Sequence, residues 1–427
     1  MRLFQPRQNL ARAQVINVPD TAGALGRRHK PDYWLFVLTA LLLTIGLVVV
    51  YSISPGLAAS QRISQGYFIS KQLIDVGLGL AAFAVAAYFP MKRWLKIITP
   101  LALAAVVASF LVMFTPLDEV YQAHRWIRLG GFSFQVAELI KLALLLWLAR
   151  FLAEQWRRGQ LADSRAVLAP LIALLVFIGV IVAKFQSDLG SAAVMVAMLG
   201  LMAYAAGLPM KRIALIGAAI VLFLALAILS SDYRRDRLSS FLNPGENCQT
   251  TGYQACQALI SVGSGGLFGQ GLGYGVQAYG YQPEPSNDSI FAIMAEKFGF
   301  VGTTGIVLLY GLFIRRLKII AAHTAEPFSR LAAVGVLAWF STQMIINIGA
   351  MLGLLPLKGI TLPLISQGGT SIVCLMAALG LVYQISRYTS YSEVTPRAQS
   401  EKTTNYSLGR RRLRRAHNAP VVARPRP

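Results

Sequence analysis

Charged side chains are scarce in this chain: Asp, Glu, Lys and Arg make up 14% of its 427 residues, while 55% are hydrophobic. That excludes an ordinary soluble domain, in which about a quarter of residues carry charge. Acidic residues are the scarcer kind, 18 against 40 basic ones, for a net charge of +22. The basic residues gather in short clusters between apolar runs and in both tails. The excess therefore reads as a record of membrane orientation, and no nucleic-acid partner is expected. Cysteine is rare too, with three in all, which excludes a disulfide-dense scaffold. No cleavable signal peptide is apparent, because the first apolar run begins near Tyr33, after a basic stretch, and is long enough to span. The first helix is expected to stay in the mature protein.

What is present is a series of apolar runs of bilayer-crossing length, at 33–53, 70–89, 95–115, 136–154, 166–184, 188–207, 212–230, 290–314, 329–354 and 361–386. They predict an all-α integral membrane protein of about ten transmembrane helices. Lys and Arg collect on alternate connections: Arg27, Arg28 and Lys30, then Lys92 and Arg93, Arg157, Arg158 and Arg165, Lys211 and Arg212, Arg315, Arg316 and Lys318, and the Arg410 to Arg415 cluster. The positive-inside rule then puts both termini in the cytoplasm. The expected organisation is a disordered arm at 1–32, a membrane core at 33–387 and a basic, disordered tail at 388–427. The Arg410 to Arg415 cluster suits anionic membrane lipid or a partner protein. A large extracytoplasmic loop, about 231–289, joins the seventh and eighth spans, and its length marks it as functional or disordered.

Chemistry-bearing residues concentrate in and around that loop. The glycine run Gly263 to Gly275 looks at first like a nucleotide loop, but such loops sit between a strand and a helix, and this one lies between membrane spans. It reads either as tight turns at the membrane surface or as close backbone approach to a phosphate or sugar. Asp288 directly precedes the eighth span, where a carboxylate is a functional candidate; capping that helix is the plainer reading. Glu138 and Lys141 share one face of the fourth helix and can pair, either structurally or as a polar site. Asp188, after Gln186, is a second outer carboxylate with the same capping alternative. Lys71, Arg125, Arg128, Lys184, Arg234, Arg235, Arg237 and Lys358 run against the positive-inside trend. Lipid phosphate or an anionic lipid-linked substrate would account for them. Cys248 and Cys256, in the same loop, are candidates for a disulfide, with two free thiols as the alternative.

These residues, taken in order, resemble the SEDS family of membrane proteins for shape, elongation, division and sporulation, which includes FtsW and RodA. The resemblance rests on Arg237-Leu-Ser-Ser-Phe-Leu-Asn-Pro244, Gly252-Tyr253-Gln254, Gly263 to Gly269, Asn287-Asp288-Ser289-Ile290-Phe291-Ala292 with Glu296 and Gly299, Asn347-Ile348-Gly349, Lys358-Gly359 and Ser366 to Ser371. Earlier blocks agree: Phe68 with Lys71-Gln72, Arg125-Trp126-Ile127, Gln135 to Leu142 and Gln186 to Gly190. Two family prolines are replaced, by Val136 and Ser187, and a third departure puts Gln367 at a family tyrosine. The lost prolines would have set bends before the fourth and sixth spans.

The resemblance implies a peptidoglycan glycosyltransferase that polymerises lipid II outside the cytoplasmic membrane. Asp288 is then the catalytic base. Lys71, Arg125, Glu138, Lys141, Gln186, Asp188, Arg237, Asn347, Lys358, Ser366 and Thr370 are the candidate substrate contacts. No organic cofactor is implied, and a divalent cation, Mg or Mn, stays open. The long N-terminal arm and basic tail lean towards the division member, which implies a class B penicillin-binding transpeptidase, other division proteins and membrane lipids as partners at the septum. The alternatives are a flippase that moves lipid II without making bonds, a scaffold for a division complex, and an elongation polymerase like RodA.

Overall fold

The computed structural model describes residues 30–114, 125–129, 132–161, 163–218, 235, 241, 248–250 and 252–389. The expected disordered arm and tail, and most of the seventh span and of residues 231–247, lie outside the described residues.

Three long helices open the fold: α1 (Tyr33–Gln61), α2 (Tyr67–Tyr88) and α3 (Met91–Leu111). Asp32 starts α1 by accepting the Leu35 amide, and the chain leaves it at Arg62 in the left-handed region, φ 55°. An antiparallel hairpin follows, β1 (Trp126–Leu129) and β2 (Phe132–Gln135), with Trp126 opposite Gln135. It is an addition to the all-helical expectation. Gln135 is extended and leads directly into α4 (Val136–Arg157), so the hairpin makes the bend that the family assigns to a proline. α5 (Arg165–Phe185) is wound as a π-helix over Ser164–Leu168 and Ile178–Phe185. Such winding is rare. After Phe185 the chain turns through Ser187, with φ 52°, into α6 (Leu189–Ala206). The second missing proline is thus replaced by a left-handed serine.

Beyond the undescribed stretch come α7 (Tyr253–Ser264), α8 (Ile290–His323), α9 (Pro327–Met351) and α10 (Gly369–Ile385). Eight of the ten numbered helices, all but α4 and α7, are long and apolar enough to cross a membrane. α4 matches them in length, but Glu138, Lys141, Arg150, Glu154 and Arg157 make it too polar for that criterion. Three expected boundaries move by eight residues or more, the first being the end of the first span, at Gln61 rather than 53. The eighth span continues to His323 rather than ending at 314, so Arg315, Arg316 and Lys318 are helical. The tenth begins at Gly369 rather than 361, because residues 361–368 are turns and extended chain.

α9 and α10 are buried along most of their length, whereas α3 exposes most of its surface. α2 packs closely along α10 through glycines: a Cβ on Gly380 would overlap the Phe83 carbonyl oxygen, and one on Gly79 would lie 3.0 Å from Ile372. Small residues of this kind let membrane helices approach closely enough for dispersion to hold them.

The glycine run proves to be a clamp around α8. α8 breaks at Gly299, φ 65° and ψ −166°, and the loop closes on the break: Phe300 and Val301 donate to the carbonyls of Gly266 and Leu267, while Gln270 and Gly271 donate to those of Glu296 and Lys297. Glu296 accepts the Val276 amide at 3.0 Å, and Lys297 donates to the carbonyls of Leu272 and Tyr274 at 2.8 and 3.2 Å. A Cβ at Gly265, Gly269 or Gly299 would overlap the opposing backbone. These glycines serve the fold by close approach.

Candidate functional site

Asp288 stands half-buried at the start of α8, but Ser289 holds the N-cap position and no side chain caps the helix. The Asp288 carbonyl accepts the Asn347 side-chain amide at 2.7 Å, and its carboxylate Oδ2 lies 3.4 Å from Gln254 Nε2, which also donates to Ser289 Oγ at 3.1 Å. On another side lies Gly359, where a Cβ would be 3.7 Å from Oδ2. Segments at 254 and 359 thus meet the Asp288 carboxylate, while Asn347 holds its backbone carbonyl.

The segment 358–368 is the hub. Asn347 Nδ2 also donates to the Ile360 carbonyl at 2.7 Å, Ser366 Oγ donates to the Asn287 carbonyl at 2.6 Å, and the Gln367 amide donates to the Ser286 carbonyl at 2.8 Å. Gly190, in the first turn of α6, lies directly against Ile360, with Lys358 Cβ 3.4 Å from where its own Cβ would be. Asp188 is thereby brought to the same end of the bundle. One of its oxygens caps α6 through Ser191 at 2.8 Å, and the other accepts Gln135 Nε2 at 3.2 Å. Gln135 in turn donates its backbone amide to Thr370 Oγ1 at 3.3 Å. Arg125 ties the hairpin to the turn before α6, donating to the carbonyls of Gln186 and Ser187 at 2.8 and 2.7 Å. Ser187, Glu284 and Leu364 all have positive φ, and they lie in three of the loops that converge here. Strain of that kind persists only where the surroundings enforce it, which is common at functional sites.

Several expected substrate contacts prove to be internal. Lys141 is fully buried: it pairs with Glu138 at 2.7 Å, donates to Gln343 Oε1 at 3.0 Å and lies 5.2 Å from the Trp339 ring centroid. Asn347 and Ser366 hold loops together, and Thr370 receives the hairpin. Gln186 is buried with neither side-chain amide atom hydrogen-bonded among the described residues. Lys71 is exposed on the second turn of α2, Lys358 is half-exposed beside the hub, and Arg237 lies outside the described residues.

Sequence reasoning missed Gln72, Asp75, Gln254 and Gln343 as site residues. Gln72 and Asp75 are buried one turn apart on α2, facing the start of α10, where a Cβ on Gly369 would be 3.2 Å from Asp75 Oδ1. A carboxylate inside an apolar run was the available signal for Asp75. Gln254 and Gln343 stood in or beside blocks that carry the family resemblance, but a neutral amide suggests no role until its partners are known. Cys248 and Cys256 form a disulfide with a Cα–Cα distance of 5.5 Å, and Cys374 is a buried free thiol. Among the described residues no three of His, Cys, Asp and Glu gather as a metal site would need.

Fold and site together define a polytopic helical membrane protein whose polar groups converge on one carboxylate at one end of the bundle. The family model described as "Cell cycle protein", for FtsW, RodA and SpoVE, matches residues 33–391, and the chain belongs to that family. It is 36% identical over 369 residues to the stage V sporulation protein E of Bacillus subtilis, covering 86% of this chain and 99% of that protein. It is 37% identical over 367 residues to a probable peptidoglycan glycosyltransferase FtsW of Thioalkalivibrio sulfidiphilus, covering 84% and 90%. Among solved structures it resembles the rod shape determining protein RodA of Thermus thermophilus, with a TM-score of 0.62 at 27% identity and coverage of 85% and 98%. It also resembles a chain solved to describe the structural coordination of polymerization and crosslinking by a peptidoglycan synthase complex, with a TM-score of 0.65 at 27% identity and coverage of 84% and 98%.

Proposed function

We propose that this chain is a peptidoglycan glycosyltransferase that polymerises lipid II at the outer face of the cytoplasmic membrane during cell division. The observation that carries the reading is where the buried charge lies. Apart from Asp32 and Arg387, buried at the opposite end of the bundle, and Asp188, which caps α6, the buried charges Asp75, Glu138, Lys141, Glu296 and Lys297 fall in the first turns of helices that begin at the Asp288 end. Asp75, the deepest, is eight residues into α2, roughly 12 Å at 1.5 Å per residue. Of the described long helices, α1, α5, α6, α8, α9 and α10 carry no charge near their middles. A flippase needs polar groups along its path at several depths; an enzyme needs them at one face.

In this reading Asp288 takes the proton from the acceptor sugar's 4-hydroxyl as that oxygen bonds to the donor's anomeric carbon. The bond from that carbon to the pyrophosphate oxygen breaks, and undecaprenyl pyrophosphate leaves. Lys358 beside the hub and Lys71 at the head of α2 are placed to offset its charge, with Arg125 and Arg237 as further cations. The buried Lys141 keeps a structural role. The Lys and Arg distribution supports the outer location and cytoplasmic termini. FtsW-named relatives support division over elongation, and the likeness to the synthase-complex chain supports a class B penicillin-binding transpeptidase as partner.

The test is to incubate purified protein with lipid II and look for glycan polymer. Asp288→Asn should fold normally yet polymerise ~10²-fold less or worse, the usual scale for losing a positioned acid–base group. Ser289→Ala should lose far less. Polymerisation by Asp288→Asn within a few-fold of wild type would end the assignment.

A further inference from the structure

We propose that Gln254 is a positioning residue for this reaction: its side-chain amide orients the Asp288 carboxylate and favours its ionised form. The inference rests on Asp288 being the base. Gln254 is the second residue of α7, and Nε2 offers its two hydrogens to Ser289 Oγ at 3.1 Å and to Asp288 Oδ2 at 3.4 Å. The second distance is long for a hydrogen bond. Catalytic hydrogen bonds are often long before substrate binds and tighten afterwards.

The placement is enforced from both ends of α7. At its start, Cys256, two residues after Gln254, is tied by the disulfide to Cys248. At its end, Gly265 lies so close to the Ala295 carbonyl that a Cβ could not fit, which seats α7 on the first turns of α8. Asp288 is fixed separately through its backbone, by Asn347. The backbone is thus held by one amide and the carboxylate by another. Among the described residues, the segments that pack around Asp288 also carry Lys358, next to Gly359, and Glu284, whose carboxylate accepts the Asn287 side-chain amide. An amide donor to a carboxylate favours the charged form, so removing it makes the base easier to protonate.

The experiment is the pH dependence of lipid II polymerisation by the full chain in detergent, for wild type, Gln254→Leu, Gln254→Glu, Asp288→Asn and the double variant Gln254→Leu/Asp288→Asn. Gln254→Leu should lower kcat about ten-fold with KM for lipid II within about two-fold, and should move the acidic limb to higher pH. Gln254→Glu keeps the shape but sets a second carboxylate against the first, so its acidic limb should move further in the same direction and activity should recover at higher pH. The double variant should be no worse than Asp288→Asn alone, because the two residues act as a unit. An unmoved acidic limb in both Gln254 variants, or a loss that adds to that of Asp288→Asn, overturns the proposal. Wild-type activity in Asp288→Asn would instead overturn the base assignment, so the two failures can be told apart.

Discussion

At the scale of single residues, the structure divides the polar inventory into groups that face the Asp288 site and groups that hold the scaffold. Lys141 shows the difference. Its ammonium is matched to Glu138, Gln343 and the Trp339 ring inside the bundle, and removing one partner of a buried pair strands the other charge. Lys141→Met should therefore lower stability by about 3–5 kcal/mol, read as thermal unfolding in detergent, while the folded fraction keeps its KM for lipid II. A raised KM at unchanged stability would return Lys141 to the substrate contacts. The disulfide is a second residue-scale case. The sequence allowed either a bond or two thiols, and in the fold Cys248 and Cys256 come together across a separation of eight residues. Thiol labelling of unfolded, unreduced protein should modify Cys374 alone. Reduction should cost roughly 2–3 kcal/mol by the chain-entropy estimate for so short a loop.

At the scale of elements, the glycine run and the broken helix α8 form one device. In the sequence the glycines suited turns or a phosphate cradle equally well, because both need a bare backbone. The fold uses them for contact between backbones at Gly265, Gly269 and Gly299. Gly265→Ala should then destabilise by about 1–3 kcal/mol through overpacking, measured by thermal unfolding. Gly273→Ala, with open space around it, should stay within about 0.5 kcal/mol of wild type. Equal effects at the two positions would remove the clamp. The bends before α4 and α6 carry the same lesson. Proline is one way to break a helix, but a strand ending at Gln135 and a left-handed Ser187 achieve it through tertiary support that no local pattern announces.

At the scale of the whole molecule, orientation is the property still to be measured. A reporter fused after Arg316 should behave as cytoplasmic and one within 245–280 as external, since Lys and Arg alternate along the chain. An external signal at Arg316 would reverse the face on which Asp288 works. The class of protein, the position of most spans and the family were legible in the sequence, because a bilayer demands about 20 apolar residues per crossing whatever the neighbours are, and because the ordered blocks from Phe68 to Ser371 are specific. The start of the last helix was not legible: residues 361–365 extend the apolar run that follows, yet they turn away as part of the hub, held by Asn347 and Gln343. Asp288 stood out in the sequence as a carboxylate at a membrane boundary. The blocks around it were legible too, Asn347 among the candidate contacts, but not which atom of Asp288 each would meet, since Gln254, Asn347 and Gly359 reach it only through the path of the loops. A chemical group announces itself by its type and its place along the chain, but its partners are set by long-range packing, and that belongs to the tertiary structure alone.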